Sequence, residues 1–431
     1  MLKQIDLFKD HQKIRVDFPI LDSIINDNRL IYLDNAATTQ KPLSVIDAMS
    51  KFQKEANGTV RRGIYDLSVK STQEFDTARA KVKEFINASS TQEIIFTRGT
   101  TESINLIAFS LTEALKGRLS PVATSGGRAS KLKTNHDVEI LITTMEHHAN
   151  IVPWQINAQR LGLKTSFSPV TDDGELDLKE LFKALERKEV RILALAHVSN
   201  ALGTINPIKE IIKHAHANNV IVIIDGAQGI SHTKVDVLDL DADFYVFSGH
   251  KLYGPTGVGV LYGKKDLLNE MPPYHGGGEM INIVKPESTS YAELPFKFEA
   301  GTPAIASVIG LGHAIDYVEA IGIKQISEYE NHLYQYALEK TKHIEGLKLI
   351  GQAANKAAIF SFVFDDIEAF DIGTMLNQYG VAIRTGHHCT QPLMARYQVS
   401  STARASFAFY NNKEDVEVFA QKLEKVVKIF R

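Results

Sequence analysis

Short apolar segments that end at a small or polar residue recur along the chain, and segments with helical periodicity lie between and beside them. The apolar segments are residues 93–96, 138–144, 190–199, 219–228 and 243–251. Such segments are typical of parallel strands that are buried on both faces. Helical spacing of apolar residues is found at 44–56, 100–116 and 178–188. Strands that alternate with helices predict an α/β fold with a mainly parallel central sheet, and ligands usually bind at the carboxyl ends of such strands.

The pattern changes after residue 303. A long helical stretch at about 304–342 precedes short strand candidates at 346–350 and 358–364, and a helix at 414–430 closes the chain. We therefore predict a large domain at 31–303, a smaller α+β domain at 304–431, and an N-terminal segment, 1–30, that packs on the smaller domain.

Composition and charge narrow the class of protein. Of the 431 residues, 44% are hydrophobic and 23% are charged, as in ordinary globular proteins. The 48 basic and 51 acidic residues give a net charge of −3, so there is no broad basic field for nucleic acid. No apolar run approaches the roughly 18 residues that a membrane span needs. The charged N-terminus also lacks the apolar segment of a secretory signal. We expect neither a nucleic-acid nor a membrane partner.

Two further features concern the compartment and the surface. Cys389 is the only cysteine, which excludes an internal disulfide and a cysteine-clustered zinc site and fits a reducing, cytoplasmic setting. Residues 117–136 contain no acidic side chain and are rich in Ser, Gly, Thr and Lys. We interpret them as a surface loop, with a targeting or partner-binding role as the alternative.

An amine and a carboxylate stand at the ends of two of the predicted strands. Lys251 follows an apolar strand and precedes a glycine-rich stretch at 253–259. Desolvation would lower its pKa and let it form a Schiff base, although a solvated lysine beside a glycine turn is the alternative. Asp225 ends the apolar run IVIID and could keep a pyridine nitrogen protonated, or could equally cap a helix.

Rings and hydroxyl groups follow two other strands. In EHHAN (146–150), His147 could lie flat against a cofactor ring, whereas a purely structural histidine pair is the alternative. A shared metal is disfavoured because neighbouring side chains of an extended segment point in opposite directions. In RGTTE (98–102), Thr100 and Thr101 could form a phosphate site at a helix start. Helix capping, with Thr100 as the cap, would also explain them.

A thiol and a guanidinium complete the candidate chemistry. Cys389 closes the segment RTGHHC (384–389), whose basic neighbours favour a thiolate, although an inert buried cysteine is the alternative. Small residues flank Arg404, so its guanidinium could bind a carboxylate in bidentate fashion or form a structural salt bridge. Together these groups indicate a pyridoxal-phosphate enzyme that acts on a sulfur amino acid.

From about Phe18 to its C-terminus, the chain resembles the cysteine desulfurases of fold-type I, in the class-V aminotransferase superfamily. More specifically, it resembles the group II, SufS-type branch of cysteine desulfurases and selenocysteine lyases. The motifs, in chain order, are YLDNAATTQKP (32–42), RGTTESIN (98–105), MEHHANIVPWQ (145–155), HVSNALGT (197–204), DGAQ (225–228), SGHKLYGPTGVGVLYG (248–263), GGGEMI (276–281), FEAGTP (298–303), RTGHHCTQPLM (384–394) and RAS (404–406).

The resemblance implies a role for each matching residue. The large domain would bind pyridoxal 5′-phosphate, and the smaller domain would carry the loop with the catalytic Cys389. Lys251 would hold the cofactor and shuttle protons, and Cys389 would attack the substrate sulfur. The cofactor would further contact Asp225, Gln228, His147, Thr100, Thr101, Ser248 and His250, with Thr302 directed to the phosphate site of a partner subunit. Asn200, Arg404 and Arg384 would bind the substrate carboxylate.

The implied activity is conversion of L-cysteine to L-alanine, with sulfur passed through a Cys389 persulfide to iron–sulfur cluster assembly. The implied partners are a small sulfur acceptor, SufE-like rather than SufU-like, an iron–sulfur scaffold complex and a second copy of the chain. A selenocysteine lyase is the alternative that keeps the cofactor. A non-catalytic assembly subunit is disfavoured by the intact residue set, and a nicotinamide enzyme by the absence of a G-x-G-x-x-G after a strand.

The sequence departs from the family pattern at two places. Arg61 stands where the family has the histidine of His-Arg-Gly, and the basic segment 117–136 resembles an insertion. Neither departure affects the residues to which a role is given above.

Overall fold

The computed structural model describes residues 6–117, Leu132 and 137–431, so the predicted surface loop at 117–136 lies almost entirely outside the described residues. The helices are α1 (Leu7–Arg15), α2 (Leu43–Glu55), α3 (Asp66–Phe85), α4 (Thr100–Lys116), α5 (Val152–Leu161), α6 (Leu178–Leu185), α7 (Ile208–Ala217), α8 (Gly229–His232), α9 (Val237–Leu240), α10 (Lys265–Glu270), α11 (Ile305–Ile321), α12 (Ile323–Thr341), α13 (Ala369–Gln378), α14 (Gln391–Arg396) and α15 (Lys413–Phe430). The strands are β1 (Ile24–Ile25), β2 (Asn28–Arg29), β3 (Ile31–Tyr32), β4 (Ile94–Thr97), β5 (Glu139–Thr143), β6 (Lys164–Ser168), β7 (Val190–Ala196), β8 (Ile221–Asp225), β9 (Phe244–Ser248), β10 (Gly259–Gly263), β11 (Ile281–Lys285), β12 (Ser288–Tyr291), β13 (Lys348–Leu349), β14 (Ile359–Val363), β15 (Val381–Ala382), β16 (Arg384–Gly386) and β17 (Thr402–Ser406).

A seven-stranded sheet forms the centre of the molecule. Its strand order is β4-β10-β9-β8-β7-β5-β6, and the strands from β9 to β6 are parallel. Every residue of β5, β8 and β9 is buried, because a continuous apolar run can pack against helices on both faces of the sheet. The five apolar segments singled out in the sequence form β4, β5, β7, β8 and β9. The predicted α/β fold with a mainly parallel sheet is confirmed.

One strand of this sheet runs against the others. β10 is antiparallel to both of its neighbours, β4 and β9. It passes very close to the segment that leads into α4, since a Cβ atom on Gly259 would lie 2.4 Å from the Cα atom of Gly99. Only glycine permits that approach. Part of the glycine-rich stretch after Lys251 is therefore explained by packing between β10 and the start of α4.

The C-terminal part of the chain contains a second, antiparallel sheet in the order β13-β14-β17-β16. The helical stretch predicted at 304–342 is broken at Gly322, where φ is 94°, into α11 and α12. α11 packs on α2 and α3, whereas α12 packs on α15. The division of the chain into domains at residue 303 stays a prediction. Among the described residues no single helix is long and apolar enough to cross a membrane, and α11 and α12 pass that test only as a pair bent by 74°.

The N-terminal helix α1 lies against the C-terminal helices. The backbone N–H of Leu7 donates to Oε1 of Gln325 at 2.6 Å, and Arg15 forms a buried ion pair with Asp415 at 3.0 Å. Phe18, just after α1, packs its ring 4.7 Å from that of Tyr410. These long-range contacts tie the first described residues to α12 and to the start of α15.

Candidate active site

A cavity of about 190 Å³ opens at the carboxyl ends of β7, β8 and β9, where parallel sheets usually bind ligands. The predicted site residues that line it are Thr100, Thr101, His147, Asn200, Asp225, Gln228, Ser248, His250, Lys251, Arg384 and Arg404. Ala36, Ala37 and His388, to which the sequence analysis gave no role, line it as well. The fold thus brings most of the predicted site into one cavity.

Burial shifts the pKa of both the amine and the carboxylate of this cavity. Lys251 lies in a short 3₁₀ turn directly after β9, and burial lowers its pKa to about 8, although the charge of Asp225 opposes the shift. Asp225 is the last residue of β8, and burial raises the pKa of its carboxyl group. Its Oδ1 accepts a hydrogen bond from the N–H of Ala227 at 2.9 Å. A substantial neutral fraction of Lys251 near pH 8 suits an amine that must act as a nucleophile.

The N-terminus of α4 forms one end of the cavity. The N-cap is Gly99, with a φ of 155°, rather than Thr100, which is the first helical residue. The N–H and the hydroxyl group of Thr100 each lie 2.8 Å from Oγ of Ser248. Thr101 and His250 stand beside them, and burial lowers the pKa of His250 to about 4, so that its ring is neutral. Free N–H groups and hydroxyls at the start of a long helix bind anions such as phosphate.

His147 presents a neutral ring to the cavity. Its Nδ1 accepts a hydrogen bond from the N–H of Ala149 at 3.0 Å, which fixes the ring orientation. Burial, assisted by the charge of Lys251, lowers the pKa of His147 to about 3. The centroid of the His148 ring lies 6.4 Å away, and no group of three potential metal ligands is found among the residues that the structure describes. The geometry favours ring stacking over metal binding.

Gln228 lies on the cavity wall close to the N-terminal segment. Its Nε2 donates a hydrogen bond to the carbonyl oxygen of Ala36, and both residues line the cavity. This hydrogen bond orients the side-chain amide of Gln228, which lies three residues after Asp225.

Two arginines occupy paired positions on neighbouring strands of the small sheet. Arg384 of β16 and Arg404 of β17 are directly opposite in the antiparallel register, and both line the cavity. Arg404 donates to the carbonyl oxygen of Asn200 at 2.8 Å and to Oδ1 of Asp34 at 3.0 Å. Burial lowers the pKa of Arg404 and raises the pKa of Asp34, while the charge of each partner opposes the shift. Among the described residues, Asp34 is the one acidic group paired with either arginine, which leaves a site for a further carboxylate.

Asp34 is a site residue that the sequence analysis missed. It stands in the motif YLDNAATTQKP together with Ala36 and Ala37, so the motif match was the available signal. Its partner Arg404 is 370 residues away, and no periodicity along the chain connects the two.

Cys389 lies beside the cavity rather than among its lining residues. Its side chain is partly exposed, and its neighbour His388 is buried and lines the cavity. The carbonyl oxygen of Cys389 accepts a hydrogen bond from the N–H of His148 at 2.7 Å, next to the ring of His147. The negative charge of Cys389 acts to raise the pKa of Lys251, against the effect of burial. The thiol therefore belongs to the same electrostatic environment as the lysine.

Two positions discussed in the sequence analysis lie elsewhere. Thr302 lines a separate cavity that it shares with Arg98 and His275, so the structure does not bring it to the phosphate end of its own chain's site. The guanidinium of Arg61 lies 4.0 Å from the ring centre of Phe296 and 3.4 Å from Oε2 of Glu299, outside the lysine cavity. Arg61 is thus accounted for by packing and charge pairing within this chain.

The residues of the cavity fit pyridoxal 5′-phosphate. Lys251 supplies an amine, Asp225 a buried carboxylate, His147 a flat neutral ring and the start of α4 an anion site. In the described part of the chain, Nε of Arg404 and Nδ1 of His388 are buried without a hydrogen-bond partner. Polar atoms of this kind remain available to a ligand.

Comparisons with known proteins agree with this set of groups. The profile of the aminotransferase class-V family matches residues 31–419. The chain is 47% identical to a cysteine desulfurase of Yersinia pseudotuberculosis serotype O:1b and 46% identical to a probable cysteine desulfurase of Halalkalibacterium halodurans, over 97% of this chain and 98% of each relative. Two solved structures match 97% of this chain and 98% of their own chains. They are the S-sulfonic acid form of the Escherichia coli cysteine desulfurase CsdA (TM-score 0.85, 36% identity) and the apo cysteine desulfurase of Thermococcus onnurineus NA1 (TM-score 0.88, 34% identity). The predicted resemblance is confirmed, and the chain belongs to the class-V aminotransferase family, with pyridoxal 5′-phosphate as its cofactor.

Proposed function

We propose that this protein is a cysteine desulfurase that converts L-cysteine into L-alanine and holds the sulfur as a persulfide on Cys389. The observation that carries the proposal is one cavity that joins Lys251, Asp225 and Arg404, with Cys389 next to its lining residue His388. The reaction class agrees with the relatives, which are named cysteine desulfurases. L-cysteine is the substrate, and a sulfur acceptor is required to regenerate the thiol.

The strand-end groups serve the cofactor. When bound, pyridoxal phosphate supplies an electron sink for the charge that develops at the substrate Cα. Asp225 would keep the pyridine nitrogen protonated, which would strengthen that sink. His147 would pack its neutral ring on the cofactor, and Thr100, Thr101, Ser248 and His250 would hold the phosphate. Lys251, whose pKa is lowered to about 8, removes the proton at the substrate Cα and returns it.

The two guanidinium groups bind the substrate carboxylate. Asp34 already balances one of the two positive charges, and the carboxylate of the amino acid balances the other. The hydrogen bond from Arg404 to the carbonyl oxygen of Asn200 holds the guanidinium group in a fixed orientation. We propose that a substrate held in this way would direct its sulfur towards Cys389.

The sulfur transfer needs no external oxidant. The Cys389 thiolate attacks the substrate sulfur, and a new bond joins that sulfur to Sγ of Cys389. The Cβ–S bond of the substrate breaks, and its electron pair stays with the carbon skeleton, which is protonated and leaves as L-alanine. L-cysteine and a thiol thus become L-alanine and a persulfide. The partly exposed position of Cys389 allows an acceptor thiol to reach the persulfide.

The finer assignment rests on the motifs. We place the chain in the SufS-type, group II branch, in the cytoplasm, where it supplies an iron–sulfur scaffold complex through a small acceptor protein that is SufE-like rather than SufU-like. A homodimer is part of this proposal, since Thr302 lies outside its own chain's cavity and would reach the phosphate site of the partner. The smaller domain, with its boundary at residue 303, would carry the Cys389 segment.

The test is incubation of the purified protein with L-cysteine, followed by assay of alanine and of protein-bound sulfur. We expect a yellow protein that yields alanine and a persulfide in equal amounts. Cys389→Ala should keep the yellow colour and lose sulfur release from L-cysteine. Undiminished sulfur release by Cys389→Ala would show that the nucleophile is wrong. L-selenocysteine is assayed in parallel, because weak dependence on Cys389 with that substrate would favour a selenocysteine lyase.

A further inference from the structure

The backbone around Cys389 has an unusual conformation. We call residues 387–391 the cysteine turn. Within it, His388 and Cys389 have φ values of 50° and 57°, so two successive residues with side chains lie in the left-handed region. Such a conformation is sparsely populated and persists only where surrounding contacts hold it. Contacts that hold the cysteine turn also determine where the thiol points.

Two histidine rings and one backbone amide supply three of these contacts, and Nδ2 of Asn200 supplies another by donating to the carbonyl oxygen of His388 at 2.9 Å. Nδ1 of His387 accepts a hydrogen bond from the N–H of Cys389 at 3.0 Å. Nε2 of His148 accepts from the N–H of Gln391 at 3.1 Å, and the N–H of His148 donates to the carbonyl oxygen of Cys389 at 2.7 Å. The centroids of the two rings lie 5.5 Å apart. Hydrogen bonds thus hold the backbone at Cys389 itself and at Gln391, two residues further along the chain.

We propose that His148 and His387 are positioning residues that fix the Cys389 thiol in its attacking position by accepting backbone hydrogen bonds through neutral ring nitrogens. The inference deepens the proposed function and rests on Cys389 as the sulfur acceptor. In this proposal neither ring exchanges a proton with the substrate. A displacement of about 1 Å in an attacking group can reduce a rate about a hundredfold, so loss of either contact should slow sulfur transfer.

The protonation state of the rings links this positioning to pH. A protonated imidazole donates from both nitrogens and cannot accept, so protonation of His148 would break its bond to Gln391. Burial, assisted by the charge of His387, lowers the pKa of His148, which keeps the ring neutral at ordinary pH. The titratable groups that face His148 are His147 from its own segment and His387 and Cys389 from the cysteine turn. Sulfur transfer should therefore fall as the pH falls through the pKa of His148.

Substitutions that keep or remove a hydrogen-bond acceptor at these two positions distinguish a positioning role from other roles. The amide oxygen of glutamine can replace Nε2 of His148, whereas leucine cannot, and the amide oxygen of asparagine can replace Nδ1 of His387. We would measure single-turnover persulfide formation by the holoenzyme at saturating L-cysteine. His148→Leu should slow it about tenfold or more, and His148→Gln should stay within about threefold of the parent enzyme. His387→Leu and His387→Asn should differ in the same sense, and His343→Leu, at an exposed histidine, is the matched control.

Two further readouts decide between mechanisms. Alkylation of Cys389 by iodoacetamide should change by less than about twofold in all variants, because the thiol keeps its own reactivity. His148→Gln should lose the part of the acid-side fall in rate that protonation of His148 causes, whereas the part caused by protonation of Lys251 should remain. A leucine variant as fast as the parent, a glutamine variant as slow as leucine, or alkylation that slows in parallel would overturn the inference. If His148→Leu does not fold, the His387 pair is read in the same way. Absence of any persulfide in the parent would instead refute the proposed function.

Discussion

The two halves of the candidate site are built in different ways. Asp225 and Ser248 are the last residues of buried parallel strands, and Lys251 follows one of these strands after a single short turn. We call these three residues the strand-end wall. The cysteine turn, by contrast, belongs to no strand or long helix, has left-handed backbone at two positions and is held by histidine side chains.

This difference suits the tasks of the two halves. The strand-end wall must hold a cofactor rigidly in a buried environment, and neighbouring parallel strands fix its groups relative to one another. The cysteine turn must present its thiol first to the substrate and then to an acceptor, so Cys389 is partly exposed. We expect substitutions in the strand-end wall to affect cofactor chemistry, and substitutions in the cysteine turn to affect sulfur transfer alone.

The largest effect is expected for Lys251→Ala, which removes both the attachment point and the proton carrier of the strand-end wall. Desulfurase activity should fall by about 10⁴-fold or more, and the yellow colour should be lost on dialysis. Lys356 is a matched control, because burial also lowers its pKa to about 8 although it lies outside the cavity. Lys356→Ala should keep both colour and activity. Colour that survives dialysis in Lys251→Ala, bleachable by borohydride, would assign the cofactor to another lysine.

Asp225→Asn should have the next largest effect. The amide has the same shape as the carboxylate but cannot stabilise a protonated pyridine nitrogen, so kcat should fall about 10²- to 10³-fold while the cofactor stays bound. Steady-state kinetics and the absorption spectrum of the variant measure the two quantities. An asparagine variant within twofold of the parent would remove Asp225 from the chemistry and leave it as a structural residue of the strand-end wall.

Arg404→Lys should have a smaller effect, mainly on substrate binding. Lysine cannot reproduce the two-pronged contact of a guanidinium, so KM for L-cysteine should rise about tenfold or more with a smaller change in kcat. Arg384→Lys is the comparison, and its effect should be weaker because Arg384 is exposed whereas Arg404 is buried. A larger effect at Arg384 would assign the carboxylate contact to that residue instead.

The smallest effect concerns the pH dependence of cofactor uptake by the apoenzyme. Burial lowers the pKa of Lys251 to about 8, so the neutral fraction of its amine should rise about tenfold between pH 7 and pH 9 and then level off. The rate of recovery of the yellow colour should follow that fraction. A rate that is still rising steeply above pH 9 would show that the lysine keeps an ordinary pKa.

The sequence predicted the strand-end wall better than the cysteine turn, for physical reasons. A continuous apolar run marks a buried strand, so the polar residue at its end, such as Asp225, is placed at the sheet edge by local pattern alone. The hydrogen bond between His148 and Gln391 joins residues 243 apart, and the link between Asp34 and Arg404 spans 370 residues. Such pairs depend on tertiary folding, which leaves no periodic signal.

Local details also escaped prediction. Thr100 has the chemistry of an N-cap, yet Gly99 takes that position, and Ser248 instead pairs with Thr100. The reversed direction of β10 and the break of the helix at Gly322 were not predicted, since each lies within an otherwise regular pattern. The motif resemblance indicated most of the residues that line the cavity but not Asp34, and the contacts of these residues came only from the fold.

Mass spectrometry of the holoenzyme after a single addition of L-cysteine, without an acceptor, tests most directly whether Cys389 takes the sulfur. The peptide with Cys389 should gain the mass of one sulfur atom, a reductant should remove it, and alanine should appear in equal amount. Alanine formation with an unmodified Cys389 peptide would show that sulfur does not pass through this residue.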